Sequence, residues 1–200
     1  TRTNTHRFDR FEHLIMAVLS GQGLLAAYVP TAAEFLLKRF EAWGLLKLLR
    51  DYFGEEPAIS SKKWTLRRGS GLTFPGWHQD GFFMDKGSSY LNTWLALSDC
   101  GAGTEKPGLT VVPKRVVELL PVRNYIVLRH KTLQEKYNKL SITPTFHEGD
   151  LFLFDEYYVH TTQFHFGDHE PGVYRYAIET WFHSRCTVDN DYSLPLAWGW

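Results

Sequence analysis

The chain has 200 residues, of which 44% are hydrophobic and 16% aromatic, enough to bury a sizeable core in one domain. Lys and Arg number 22, as do Asp and Glu, so the balanced charge argues against nucleic acid or a membrane as partner and favours a small molecule. With only Cys100 and Cys186, a disulfide scaffold is excluded and a cytoplasmic protein is expected. The sequence begins at Thr1 without an initiator Met, so we expect a trimmed version of a longer chain.

The first quarter of the chain predicts helices. One is predicted from Phe8 to Leu19 and a longer one from Ala32 to Phe53, where apolar residues recur every three to four positions. Thr31, followed three residues later by Glu34, predicts a capping box, and Gly54 predicts the end of the second helix. The buried stripe predicted for this helix consists of Phe35, Leu36, Phe40, Trp43, Leu46 and Leu49.

From Lys62 onward, short runs of aromatic and β-branched residues separated by Gly and Pro indicate strands. One more helix is predicted at about 130–138. Helices first and many short strands afterwards favour an α+β domain, mainly β, in which a sandwich or barrel is buttressed by helices. The strands are predicted at about 62–68, 76–80, 89–98, 109–113, 124–129, 142–147, 150–155 and 174–183.

The segment Trp77-His78-Gln79-Asp80-Gly81 contains a candidate metal-binding pair. In an extended strand, residues i and i+2 face the same side, so His78 and Asp80 would converge on one point while Gln79 points away. This spacing also occurs often by chance. The pair therefore needs a third ligand before a metal site can be inferred.

His160 is the best third ligand, because it follows a strongly apolar strand and precedes Thr161 and Thr162. Two His and one carboxylate form a facial set that leaves coordination positions open, as in non-haem Fe(II) oxygenases. His165 is the leading alternative for this position. Three further histidines compete less well: His147, His169 and His183.

Arg175 lies on a predicted strand fifteen residues after His160. A guanidinium can hold a carboxylate through two parallel hydrogen bonds, so Arg175 is a candidate anchor for an anionic co-substrate. Its strand face also carries Ala177, Glu179 and Trp181, and a solvent-facing Arg175 beside Glu179 is the competing interpretation.

Five separated motifs resemble the phytanoyl-CoA dioxygenase family of Fe(II)- and 2-oxoglutarate-dependent oxygenases. They are WHQDG, LNTWLALSDCG, GLTVVPKR, GDLFLFDEYYVHTT and RYAIETWF, which occur between about Lys62 and Phe182 in the family's order. The gap from His160 to Arg175 is slightly longer than usual for the family, and the chain is shorter than most members.

The resemblance implies a double-stranded β-helix (jelly-roll) core at 57–200, supported by helices at 1–56, in a single domain. It also implies that His78, Asp80 and His160 bind Fe(II) and that Arg175 pairs with the distal carboxylate of 2-oxoglutarate. The implied reaction consumes dioxygen, releases succinate and CO2, and hydroxylates a C–H bond of a small molecule. Related halogenases lack the carboxylate that Asp80 supplies, so hydroxylation is favoured.

Three more residues match positions around the co-substrate. Thr162 matches a hydroxyl that contacts the same carboxylate as Arg175, and Trp94 matches a family Trp near the pocket. Asn92, on the same strand face as Trp94, is expected to reach the pocket too. Packing of Trp94 in the core is the alternative.

Two other function classes remain open: a cupin-like module that binds a metal or ligand without turnover, and a zinc hydrolase with Glu148 or Glu156 as general base. For the substrate, one hypothesis is an apolar pocket and the other is core packing of the same residues: Trp77, Phe82, Phe83 and Met84. An anionic substrate or a solvated edge strand would explain four basic residues: Lys62, Lys63, Arg67 and Arg68.

Overall fold

A computed structural model of the protein describes residues 22–24, 29–69, 76–83, 89–123, 127–128, 131–163, 173–184 and 193–195. The predicted helix from Phe8 to Leu19 lies outside these residues. Three helices are described: α1 (Pro30–Ala42), α2 (Leu45–Phe53) and α3 (Lys131–Leu140). None of them combines the length and apolarity needed to cross a membrane.

Strands make up most of the remaining structure. The longer strands are β2 (Pro57–Gly69), β3 (Tyr90–Ala96), β9 (Leu151–Asp155) and β11 (Arg175–Ser184). The shorter strands are β1 (Gln22–Leu24), β4 (Cys100–Gly101), β5 (Leu109–Val111), β6 (Val122–Arg123), β7 (Val127–Leu128), β8 (Thr145–Phe146), β10 (His160–Thr162) and β12 (Ser193–Pro195). The expectation of a mainly β protein with a few helices is confirmed.

The helix predicted from Ala32 to Phe53 is in fact two helices. The chain breaks at Gly44, whose φ of 78° lies in the left-handed region that glycine adopts without strain. Four residues of the predicted stripe are buried, namely Leu36, Phe40, Leu46 and Leu49, whereas Phe35 and Trp43 are 55% and 58% exposed. Gly54 ends α2 as predicted, also with a positive φ.

The predicted capping box is wrong. Helix α1 begins at Pro30, one residue before Thr31, and no side chain caps it. Proline suits the first helical position because its missing N–H has no intrahelical partner there in any case.

The main sheet is antiparallel, with strand order β1-β2-β11-β3-β9, and β12 pairs with the other part of β2. A second layer is built from short pairings: His78 bridges His160 of β10, β10 pairs with β5, and Val111 of β5 bridges Ile142. One face of the main sheet packs on α1 and α2. The other packs on the second layer, with Trp94, Ala177 and Val111 in one buried cluster.

The predicted strand at 76–80 is the main local correction. Only His78 makes a bridge there, and the chain turns into a short 3₁₀ helix at Asp80–Phe83. Strands β4 and β10 were not predicted, and β8 occupies only part of the strand predicted at 142–147. Short strands of two or three residues give too little alternation to be recognised in the sequence.

Candidate metal centre

Three side chains meet between the two layers. The nearest ligand atoms of His78, Asp80 and His160 all lie within 4.8 Å of one another. Each histidine Nε2 is 3.9 Å from Asp80 Oδ1, and the two imidazole rings are 4.3 Å apart between centroids. One cation between these atoms would contact all three residues.

The backbone sets this convergence. His78 and His160 exchange two N–H···O=C bonds of 3.0 and 3.1 Å, so their side chains start from directly opposed positions. The 3₁₀ turn then carries Asp80 back toward both rings. The prediction that His78 and Asp80 face one point therefore agrees with the geometry, although a turn and not a continuous strand produces it.

Both imidazoles are held in one tautomer. His78 Nδ1 lies 2.9 Å from the carbonyl oxygen of Gly76, and His160 Nδ1 lies 3.0 Å from that of Tyr158. A carbonyl only accepts hydrogen bonds, so each Nδ1 carries a proton, and each Nε2 is the ring nitrogen that faces Asp80. A lone pair on Nε2 beside a carboxylate is the donor set of a metal site.

Burial and charge keep this set ready for a cation. Burial, followed by the effect of His160, lowers the pKa of His78 to about 4, so its imidazole is neutral at pH 7. Burial alone would raise the pKa of Asp80, but the two histidines and the Asn92 amide together bring it below its ordinary value. Asp80 is therefore ionised, as a metal ligand must be.

The competing histidines that the structure describes lie away from His78 and Asp80. His147 is exposed and lies 3.7 Å from Asp99, and His183 packs on Tyr90. His165 and His169 lie outside the described residues. His160 is thus the only one of these that the described structure brings to His78 and Asp80.

Arg175 begins β11 and is 3% exposed. Its guanidinium carbon lies 5.2 Å from the centre of the Trp94 ring, and its Nε and Nη1 have no hydrogen-bond partner among the described residues. Burial lowers its pKa to about 10, which still leaves it charged at pH 7. The solvent-facing interpretation of Arg175 is wrong, and a buried cation with free donors fits an anionic group such as a carboxylate.

The other residues predicted to lie around the co-substrate are Trp94, Thr162 and Asn92. Trp94 is buried against Phe146 and also lies against Arg175, so it is a core residue that contacts the buried guanidinium. Thr162 lies on the same face of β10 as His160, two residues later. Asn92 donates to Asp80 Oδ2 over 2.7 Å.

Sequence reasoning did not find two polar residues that support the centre. Gln79 points away from the metal ligands, as expected, but it is buried and bonds to Glu118 O, Tyr157 O and Leu120 N. Glu179 lies on the site face and accepts hydrogen bonds from Asn92 and Trp181. The i, i+2 alternation with Arg175 was the available signal for Glu179, whereas nothing local identified the distant partners of Gln79.

The residues considered for substrate binding differ in their burial and in their contacts. Trp77 is buried and donates to Asn138, which favours core packing. Arg67 pairs with Glu179, and Lys63 lies over the Trp181 ring at 4.5 Å. Arg68 is exposed and stacks on Tyr174.

The remaining residues of these two groups, and the candidate general bases, give little evidence about substrate binding or hydrolysis. Phe82 is half-buried, and the side chains of Lys62, Phe83 and Met84 lie outside the description. Glu148 is exposed on a turn, and Glu156 accepts a hydrogen bond from the Tyr90 backbone.

No family model and no curated protein matches this chain. Solved structures do. EvdO2 from Micromonospora carbonacea var. aurantiaca is 16% identical with a TM-score of 0.54, and the match covers 88% of this chain and 69% of that one. The epimerase SnoN, in complex with Fe3+, alpha ketoglutarate and nogalamycin RO, is 14% identical with a TM-score of 0.51, covering 69% and 54%.

EctD from S. alaskensis with bound Fe is 19% identical with a TM-score of 0.50, and the match covers 70% of this chain and 49% of that one. The chain therefore spans about half the length of the EctD and SnoN structures it matches. At these identities the similarity establishes a shared fold. This fold occurs in proteins whose structures hold iron and, in SnoN, alpha ketoglutarate.

Proposed function

We propose that this protein is a non-haem Fe(II)- and 2-oxoglutarate-dependent dioxygenase that hydroxylates an unactivated C–H bond of a small molecule. Two observations carry the proposal together: His78, Asp80 and His160 converge on one point, and Arg175 is buried with its Nε and Nη1 lacking a hydrogen-bond partner among the described residues. A metal-binding protein without an anionic co-substrate would have no use for that cation, whose burial is costly.

The three clustered residues would hold the iron. Their number leaves coordination positions for a chelating co-substrate and for dioxygen, which a closed structural site would not. When bound, Fe(II) with 2-oxoglutarate supplies the oxidising power for C–H hydroxylation, and 2-oxoglutarate leaves as succinate and CO2. The role of the protein is to position the reactants.

Arg175 would bind the distal carboxylate of 2-oxoglutarate. Its Nε and Nη1 donors lack other partners among the described residues, and Trp94 forms a wall behind the guanidinium. Thr162 would add a hydroxyl donor from the strand face that carries His160. The carboxylate would in turn satisfy the buried charge.

Asp80 favours hydroxylation among the reactions open to this class of enzyme. Its carboxylate occupies the position that halide would need in a halogenase. The epimerase reaction of SnoN is an alternative outcome on a similar scaffold. The motifs and the two facing sheets support assignment to the phytanoyl-CoA dioxygenase family and a double-stranded β-helix core.

Succinate formation tests the proposal. Purified protein is mixed anaerobically with Fe(II) and 2-oxoglutarate, oxygen is admitted, and succinate is measured with and without candidate substrates. We expect slow uncoupled succinate release that is lost in His78→Ala and Asp80→Ala. Absence of succinate from the wild type with a broad panel of substrates would favour a non-catalytic cupin-like module, and unchanged turnover in both variants would refute the metal assignment.

A further inference from the structure

A buried hydrogen-bonded relay runs from the metal cluster into the main sheet. The Asn92 amide nitrogen donates to Asp80 Oδ2 at 2.7 Å and to Glu179 Oε1 at 3.2 Å. Trp181 Nε1 donates to the same Glu179 oxygen at 2.8 Å, and Arg67 forms an ion pair with the other oxygen. Asn92 and Trp181 are directly opposed on β3 and β11, so the sheet register fixes the relay.

The relay has one orientation. An amide has two N–H donors, and in Asn92 both are used on carboxylates. Rotating the amide by half a turn would place its oxygen against two negatively charged groups. The oxygen of Asn92 instead has no partner among the described residues, at 1% exposure, which shows that the two carboxylates determine the orientation.

Within this relay, the two oxygens of Asp80 have different contacts. Oδ1 lies 3.9 Å from both histidine Nε2 atoms, whereas Oδ2 is occupied by Asn92. A free carboxylate can bind a metal through both oxygens, and doing so would use one of the positions that a chelating co-substrate needs.

We propose that Asn92, oriented by Glu179, is a positioning residue that restricts Asp80 to a single metal-binding oxygen. This keeps a coordination position open for 2-oxoglutarate. The inference rests on the proposed function, and it replaces direct co-substrate contact as the main role of Asn92. Glu179 acts through Asn92, with Trp181 and Arg67 holding its carboxylate in place.

Asn92→Leu tests the proposal, because leucine has similar size but no donor. Co(II) is titrated into the protein without oxygen, its visible absorption spectrum is recorded, and 2-oxoglutarate is then added. We expect Asn92→Leu to bind Co(II) with an altered spectrum before 2-oxoglutarate is present. Its dissociation constant for 2-oxoglutarate should rise roughly 10- to 100-fold, the usual cost of losing a group that orients a ligand.

Thr93→Val is the matched control. Thr93 lies next to Asn92 on the opposite face of β3 and donates a buried hydrogen bond to Thr180 O. Thr93→Val should show the wild-type spectrum and affinity. If Asn92→Leu does not fold, Asn92→Ala removes both donors without adding apolar bulk or charge and gives the same comparison.

Glu179 separates orientation from charge. In an Arg67→Leu background, where no cation faces the amide nitrogen, Glu179→Gln keeps an oxygen that accepts from Asn92 and Trp181, so it should retain the Co(II) spectrum of that background. Glu179→Leu removes that acceptor and should reproduce the altered spectrum of Asn92→Leu. Equal behaviour of the two Glu179 variants would overturn the part assigned to Glu179.

The outcomes distinguish this inference from the proposed function. A wild-type spectrum in Asn92→Leu with weakened 2-oxoglutarate binding would mean direct contact with the co-substrate and overturn the relay. Wild-type behaviour in both measurements would overturn it too, while leaving the proposed function intact. Failure of the wild type to bind Co(II) would refute both.

Discussion

At the scale of single residues, Arg175 carries a buried charge that its described neighbours leave partly unsatisfied. Its charge is buried beside Trp94, and two of its nitrogens lack partners among the described residues. Replacing an uncompensated buried charge by an apolar group commonly stabilises a protein. In the proposed function, the carboxylate of 2-oxoglutarate would supply the missing partner.

Arg175→Leu is therefore expected to affect stability and binding in opposite directions. The metal-free variant should unfold at a higher temperature than the wild type, because the buried charge is gone. Its affinity for 2-oxoglutarate should fall roughly 10- to 100-fold, since a charge-assisted hydrogen bond contributes about 1.5–3 kcal/mol. Calorimetry and titration of the absorption band of the Fe(II) complex measure the two effects.

Arg68→Leu is the control for this variant. Arg68 is exposed on the face of β2 that points away from Arg175, and it stacks on Tyr174. Its loss should therefore leave 2-oxoglutarate binding unchanged. Equal losses in Arg68→Leu and Arg175→Leu would contradict a specific anion site.

Gly69 makes room for the same guanidinium. The two residues are directly opposed across β2 and β11, and a Cβ on Gly69 would stand 2.9 Å from Arg175 Nε. We expect Gly69→Ala to displace the guanidinium and weaken 2-oxoglutarate binding several-fold while the protein stays folded. Gly103→Ala, in open space, cannot serve as a control because its φ of 75° would strain alanine, so circular dichroism and thermal unfolding of Gly69→Ala supply the check on folding. Unchanged 2-oxoglutarate binding would show that the Arg175 guanidinium does not need the space beside Gly69.

At the scale of elements, Gln79 connects the metal-binding segment to the loop before β6. Its amide spans Tyr157 O and Glu118 O and accepts from Leu120 N. These contacts tie three backbone segments together beside His78 and Asp80. Removing the amide would leave these three backbone groups without this partner, at a cost of about 1–3 kcal/mol for each buried group.

Gln79→Leu is expected to loosen this loop. Trypsin should cut faster after Lys114 and Arg115, which are exposed, and the free energy of unfolding should fall by about 2 kcal/mol or more. Gln163→Leu removes one bond, to Gly108 N, from a loop end and should leave the rate of cleavage at these sites unchanged. Equal cleavage in the wild type and Gln79→Leu would show that the loop is held by other contacts.

At the scale of the whole molecule, the metal would join two layers. His78 and His160 belong to the second layer, while Asn92 and Arg175 belong to the main sheet. Binding that occurs only in the folded state stabilises it by RT ln(1 + [L]/Kd), about 2.7 kcal/mol at 100 times the dissociation constant. Metal binding should therefore be visible as a change in the unfolding of the entire protein.

Co(II) or Fe(II) without oxygen is expected to raise the unfolding temperature by about 5–10 °C at such a concentration, given about 2–4 °C per kcal/mol for a chain of this size. The shift should disappear on adding a chelator and should be absent in Asp80→Ala. A similar shift in Asp80→Ala would place the metal elsewhere.

Local sequence patterns determined the parts of this protein that depend on near neighbours. The end of helix α2 at Gly54 follows from the conformation of glycine. The alternation of strands puts Asn92 and Trp94 on one face. It also puts Arg175, Glu179 and Trp181 on a shared face. These features need no distant contact. The pairing of the His/Asp motif with His160 was available as a hypothesis, from the apolar strand before His160 and from the family resemblance.

Only the tertiary structure decided how these residues meet. The bridge between His78 and His160, the 3₁₀ turn at Asp80 and the relay through Asn92 and Glu179 join segments that are far apart in the chain. Only the tertiary structure showed that Arg175 is a buried cation and not a surface charge. Such outcomes depend on strand register and on what lies opposite each side chain, which pairwise packing fixes and local sequence does not.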